Sequence, residues 1–356
     1  MVNWETEPLA VEQHQVQNLS DITMVAVGQD HSVALKSDGT VWTWGYNWYG
    51  QLGNGTNINS SVPVQISNLS DVVAIKAGVW HTLALKSDGT VWAWGNNGSG
   101  QLGAETIGGE RRVVAQVLGV SGVTKISAGS WHNLVLKSDG TVWAWGGNSY
   151  GQLGDNTTSY SKIVKQINSL AGITEIKASR DYSFAIKNGT VYAWGKNDKG
   201  QLGDGSTTQQ LMPKLLSNLT NIIGVATGYE HTLFNKSDGT VWACGYNGYG
   251  QYGDNTYTSK TIPTIIDSLS NITFITAGVY SSAAINSQGQ LYMWGNNQEG
   301  MLGNGTTQSA KIPTVVSNIQ NVVQLDFGYS HSIALDENGM VWTWGNNQKG
   351  QLGDGE

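Results

Sequence analysis

Val91-Trp92-Ala93-Trp94-Gly95-Asn96-Asn97-Gly98-Ser99-Gly100-Gln101-Leu102-Gly103, introduced by Leu85-Lys86-Ser87-Asp88-Gly89-Thr90, is one copy of a phrase that returns seven times along the chain. Its Trp-Gly step recurs at Trp44-Gly45, Trp94-Gly95, Trp145-Gly146, Trp194-Gly195, Trp294-Gly295 and Trp344-Gly345, and Cys244-Gly245 stands in for it once. A fixed period of about 50 residues marks a solenoid or propeller, whose units bury their apolar faces against their neighbours. Seven such units use up the 356 residues, so a single domain over 1–356 is expected.

Within the second unit, Asp71 to Gly78 reads as a short apolar strand and His81 to Lys86 as a second. Asp88-Gly89 supplies the positive φ angles of a tight hairpin. A third strand then runs from Thr90 to Gly95, a Gly-rich loop from Asn96 to Thr106, and a fourth strand from Val114 to Leu118. Strands this short and evenly spaced, without helical periodicity between them, predict an all-β, seven-bladed β-propeller of four-stranded antiparallel blades. We label the strands of each blade A to D. Asn18-Leu19-Ser20-Asp21 matches Asn68-Leu69-Ser70-Asp71, so residues about 8–18 should supply a D strand, and the last unit stops before its own. The N-terminal strand is therefore expected to complete blade 7, which removes an exposed sheet edge.

The step Gly-x-x-His-(Ser/Thr), followed by Leu-Lys-Ser-Asp-Gly-Thr-Val-Trp-Ala-Trp-Gly and Gly-Gln-Leu-Gly, resembles the regulator of chromosome condensation repeat, in the form of its bacterial branch. The resemblance covers essentially the whole chain and implies a seven-bladed propeller. Members of that family include a guanine-nucleotide exchange factor for a small GTPase, which reaches its partner with an inserted β-wedge. Here no unit carries a comparable insertion. Another member, a secreted bacterial inhibitor of β-lactamases, uses one aromatic-rich face. It carries varied aromatic pairs at the position of Val79-Trp80, which makes it the closer parallel.

Near-identical units make their differences legible. Before the recurring His position the A–B loops read Gln29-Asp30, Val79-Trp80, Ser130-Trp131, Arg180-Asp181, Tyr229-Glu230, Val279-Tyr280 and Tyr329-Ser330. Before Gly-Gln-Leu-Gly the C–D loops read Trp48-Tyr49, Gly98-Ser99, Ser149-Tyr150, Asp198-Lys199, Gly248-Tyr249, Gln298-Glu299 and Gln348-Lys349. Strand order places both sets on one face, whereas the B–C and D–A turns on the other face barely vary. Exposed Tyr and Trp with a few charges are what protein interfaces favour, because they give large contact area at small entropic cost. The expected partner-binding residues are Trp48, Tyr49, Trp80, Trp131, Tyr150, Arg180, Asp181, Lys199, Tyr229, Glu230, Tyr246, Tyr249, Tyr280 and Tyr329, with Lys196 and Tyr46 flanking them. The paired strand tryptophans, such as Trp92 and Trp94, lie at i, i+2 and are expected to pack between blades.

Catalysis and cofactors are not expected. His31, His81, His132, His231 and His331 share one repeat position. A propeller spreads equivalent positions around its axis, too far apart to share one metal ion, so a hydrogen-bonding role at the start of strand B is expected and no metal site. Gly-Gln-Leu-Gly lacks the Lys-Ser/Thr and following helix of a phosphate loop. Cys244 replaces a packing Trp and should be an inert buried thiol. Strand A should line the channel, with Lys76, Lys125, Glu175, Lys177, Thr276, Gln324 and Asp326 alternating with apolar residues.

A net charge of −7 argues against nucleic acid or an anionic membrane as partner. No run reaches the roughly 18 apolar residues of a membrane helix. The first residues lack the charged and apolar regions of a signal peptide, which leaves a cytoplasmic protein or a secreted one whose leader is gone. A monomeric, non-catalytic protein-binding module is the leading expectation, with inhibition of a partner enzyme as one form. A glycan-binding propeller is the first alternative, followed by nucleotide exchange on a small GTPase and an amplified or engineered scaffold without an evolved ligand.

Overall fold

A computed structural model describes residues 10–103 and 108–356. Among them the chain forms seven four-stranded antiparallel sheets in the order A-B-C-D, arranged as the blades of a propeller. In blade 2 the strands are Val72–Ala77, His81–Lys86, Val91–Asn96 and Glu110–Gln116. The B–C turn is held by Asp88 Oδ1, which accepts hydrogen bonds from Thr90 N at 2.9 Å and Thr90 Oγ1 at 2.6 Å. Gly89 stands at φ +78°, where an L side chain is strained.

The fourth strand begins earlier than its apolar run suggests. Pairing with strand C shifts register between Ala93 and Gly95, and beyond the bulge Gly95 and Asn96 oppose Arg111 and Glu110. Polar residues thus open the outer strand, which the C–D loop of blade 1 meets through Gly55 N to Arg112 O at 2.9 Å. Leu118, counted with that strand, is 63% exposed and lies beyond it, whereas Val117 turns into the core.

Closure follows the expected route. Ala10–Gln15 pairs antiparallel with Val341–Gly345 and completes the sheet of blade 7. Gln13 Nε2 also donates to the Gly303 carbonyl in blade 6. Residues 8 and 9 of the expected strand lie outside the described residues.

The recurring tryptophans latch each blade to the one before it. Trp94 Nε1 and Thr82 Oγ1 of blade 2 both donate to the Gln51 carbonyl of blade 1, at 2.8 and 3.1 Å. His31 Nε2 of blade 1 reaches the same Thr82 hydroxyl at 3.0 Å. The contact repeats round the ring and closes it, since Ser32 and Trp44 of blade 1 donate to the Gln351 carbonyl and His331 meets Ser32 at 3.1 Å. The five histidines of this repeat position are fully buried. Burial holds His31, His132, His231 and His331 at about 3 and His81 at about 4, so each is neutral.

The glycine three residues before each histidine is dictated by this ring. A Cβ on Gly78 would lie 2.1 Å from His81 Cε1 and 2.5 Å from the Gly129 carbonyl. Where blade 4 replaces the His with Tyr182, the glycine becomes Ser179. The Tyr182 hydroxyl instead reaches the next blade, 2.7 Å from the His231 carbonyl and 2.9 Å from the Gly228 carbonyl, between which its one proton is shared.

Blade 5 shows a second compensated exception. Cys244 occupies the Trp position and reaches the Gln201 carbonyl at 3.6 Å. Phe234 occupies a position that is Ala or Val in every other blade. Phe234, Cys244, Phe184 and Tyr182 pack in one cluster, so a large residue on strand B fills what the small one on strand C vacates. Burial raises the Cys244 thiol far above its ordinary range, as expected of an inert side chain.

Candidate protein-docking face

The two variable loop sets meet because the C–D loop of each blade lies against the A–B loop of the next. Tyr49 of blade 1 stacks on Trp80 of blade 2, with ring centroids 4.7 Å apart and planes at 27°. Trp80 meets Trp131 of blade 3 edge to face at 5.1 Å, and Tyr46 packs against Tyr49 at 6.5 Å. Four blades on, the arrangement is repeated. Tyr249 stacks on Tyr280 at 4.9 Å and 28°, with Tyr246 against both at 6.3 and 5.8 Å. Tyr229 extends this second cluster by touching Tyr280 at 6.3 Å and Tyr329 at 6.1 Å.

The first residue of each A–B pair has a different place from the second. Gln29, Val79, Ser130, Arg180, Tyr229, Val279 and Tyr329 ring the mouth of the central channel. Backbone bonds tie several of these loops head to tail, including Gln29 N to Val79 O at 3.1 Å and Tyr329 N to Gln29 O at 2.9 Å. The loop face is therefore cross-braced, which lowers the ordering cost of binding.

Charges occupy the gap between the aromatic clusters. Lys196 Nζ lies 3.2 Å from Glu230 Oε1, 3.5 Å from Asp198 Oδ1 and 5.5 Å from the Tyr150 ring centroid. The Arg180 guanidinium sits 4.4 Å over the Tyr229 ring and 3.5 Å from Asp181. Burial raises the Asp181 carboxyl, with Arg180 and Lys196 pulling it back. Burial likewise pushes the Tyr229 phenol up to about 12.

Of the expected residues, Tyr49, Trp80, Trp131, Tyr229, Tyr246, Tyr249, Tyr280 and Tyr329 join one aromatic cluster or the other. Tyr150, Arg180, Asp181 and Glu230 join the charged bridge, where Asp181 is buried. Trp48, 61% exposed, and the exposed Lys199 stand apart from both. Tyr46 and Lys196, treated as flanking variation, prove integral. Their signal was the residue after Trp-Gly or Cys-Gly, which is Tyr46, Lys196 or Tyr246 in three blades and Asn or Gly in the others. Among the described residues no group of His, Cys, Asp or Glu is placed to hold a metal ion.

Comparison with known proteins agrees with this architecture. Residues 158–356 match the RCC1-like domain, and residues 38–85 and 88–136 match the regulator of chromosome condensation (RCC1) repeat. The probable E3 ubiquitin-protein ligase HERC3 of Homo sapiens is 52% identical over 169 residues, 46% of this chain and 16% of that protein. The ultraviolet-B receptor UVR8 of Arabidopsis thaliana is 32% identical over 136 residues, 37% of this chain and 31% of that protein. The chain thus spans less than a third of the length of these curated relatives. Among solved structures, human WBSCR16 superposes with a TM-score of 0.81 at 22% identity, covering 94% of this chain and 89% of that one. Prp20p of Saccharomyces cerevisiae, whose structure was described with its binding to Gsp1p and histones, gives 0.79 at 24% identity, covering 93% and 84%. At such identities the likeness is one of fold.

Proposed function

This chain belongs to the family of RCC1-like propellers, and from that premise we propose that it is a protein-binding module that grips its partner with the A–B and C–D loop face. The observation that carries the reading is the doubled aromatic stack, Tyr49 on Trp80 and Tyr249 on Tyr280, on one face four blades apart. Drift in tolerant loops would not place the same paired rings twice at one geometry. Binding of Gsp1p and histones by the structurally similar Prp20p is consistent with a propeller used for protein contact. The rings also spend faces on one another, which suits a protein surface better than a sugar ring seeking an open aromatic platform. An enzyme whose active site this face covers is one concrete partner, and the binding itself needs no catalysis by this chain.

Photo-crosslinking residues placed at Trp48 and Lys199 should yield a discrete, saturable protein adduct. The same residues placed at Asp88 and Glu337, on the turn face, should not. Combined Trp80→Ala and Tyr280→Ala should weaken capture by about 2 kcal/mol or more, the usual scale of an aromatic interface centre. Equal adducts from both faces, or undiminished capture by the double variant, would overturn the reading. Glycan-array binding lost in the same variant would move it to the carbohydrate alternative.

A further inference from the structure

Strand A turns alternate side chains into the central channel, in two layers. The layer nearer the loop face carries Lys76, Ser127, Lys177, Thr276 and Asp326, and the lower one Lys125, Glu175, Phe274 and Gln324. The channel encloses about 620 Å³, a volume typical of small-molecule sites. Of the six charged side chains along it, four are cations and two are carboxylates. The rest of the chain has the opposite bias, with a net charge of −7 overall.

Most of these charges are already committed. Lys125 pairs with Glu175 and donates to the Thr174 carbonyl at 2.9 Å. The Asp326 carboxylate accepts from Val27 N at 3.1 Å and from Phe327 N at 3.0 Å. Arg180, at the mouth, is held by Tyr229 and Asp181. Lys76 and Lys177 are left, with no hydrogen-bond or ion-pair partner among the described residues. Between them, on the intervening blade, Ser127 Oγ accepts from Ala178 N at 2.8 Å and keeps its own proton free to donate.

The two ammonium groups share one layer and repel each other, and the Asp326 carboxylate of that layer offsets them only in part. Burial and the charge of Lys76 push Lys177 down to about 8, against the pull of Asp326. An oxyanion between them would balance the remaining positive charge of the layer and accept from the Ser127 hydroxyl, forming charge-assisted hydrogen bonds. Above that layer the mouth is framed by Tyr229, Tyr329, Val79 and Val279, which would cover an apolar or planar body.

We propose that the channel binds an organic oxyanion, a carboxylate or phosphate held by Lys76, Lys177 and Ser127, with its body directed toward Tyr229 and Tyr329. The anion is either a free small molecule or an acidic group of a protein docked over the mouth.

Titration calorimetry at constant ionic strength in chloride, with inorganic phosphate, citrate and a tetraglutamate peptide as probes, tests the site and its source together. At least one probe should bind saturably, and Lys76→Met with Lys177→Met should weaken it about tenfold or more. Lys177→Arg should retain binding, and so should Lys36→Met with Lys187→Met, which removes two positive charges on the turn face. Without ligand the channel variant should melt at or above the parent temperature, because a repulsion has been removed, so lost binding cannot be ascribed to misfolding. Binding of phosphate or citrate supports a free anion, and binding of the peptide alone supports a partner-borne one. Failure of every probe, or equal binding by the channel variant and the parent, would overturn the site.

Discussion

Acidification should unfold this propeller well before its carboxylates are protonated, through the five buried histidines. Each is held neutral, at about 3 for four of them and about 4 for His81, against an ordinary value of 6.5. Because the folded pKa lies below the unfolded one, the unfolded chain takes up protons first as pH falls through 6.5. Stability is therefore complete above about pH 7 and declines from there toward about pH 3. At pH 5 each imidazole should favour the unfolded chain by about 2 kcal/mol, and five together by about 10 kcal/mol, comparable to the whole stability of an ordinary domain. The hairpin carboxylates Asp38, Asp88, Asp139 and Asp238, lowered by their Thr hydrogen bonds, act below about pH 4. Asp30 and Asp181, raised by burial, act in the opposite sense. Urea unfolding at half-unit steps from pH 8 to pH 5 should show a plateau above pH 7 and a steep fall below it. His81→Gln, which can still bond Asn133, should lower overall stability but flatten the pH slope by about one fifth. A level midpoint between pH 7 and pH 5, or an unchanged slope in His81→Gln, would refute the assignment of neutral, latch-forming histidines.

Other perturbations test the packing and the closure. Cys244→Trp should overpack blade 5 and cost about 1–3 kcal/mol, and Phe234→Ala should leave a cavity costing about 3–5 kcal/mol. The double variant restores the Ala/Trp pairing of the other blades and should recover much of both losses, so strict additivity in urea would refute the size exchange. Gly78→Ala should lower the melting temperature sharply through the His81 ring and the Gly129 carbonyl, whereas Ser179→Gly beside Tyr182 should be tolerated. Removing residues 1–16 deletes the strand paired with Val341–Gly345 and should lower the melting temperature and expose blade 7 to limited proteolysis. An unchanged melting curve would show that closure does not depend on that strand.

Blade number, strand order, the Asp-Gly turns and the closing strand were readable from one sequence because each recurs against a fixed ruler. Their physics is local, set by a positive φ in the turn and alternation within six residues. What could not be read depends on the offset between blades. Tyr49 and Trp80 lie 31 positions apart, and nothing local says that the C–D loop of one blade stacks on the A–B loop of the next. The histidines pose the same difficulty, since their partners Thr82, Asn133, Ser183, Ser282 and Ser32 belong to other repeats. Yet some of this information was present as paired departures. Tyr182 comes with Ser179, and Cys244 comes with Phe234, because one contact joins the members of each pair. The variable loop residues have no such compensation within the repeat. Trp80 stacks on Tyr49, but Trp131 packs edge to face on Trp80, and Glu230 pairs with Lys196. Substitutions in the buried packing are matched within a few residues or by the facing strand, whereas those on the loop face are matched, where they are, across the boundary between blades, as Tyr49 with Trp80 and Lys196 with Glu230.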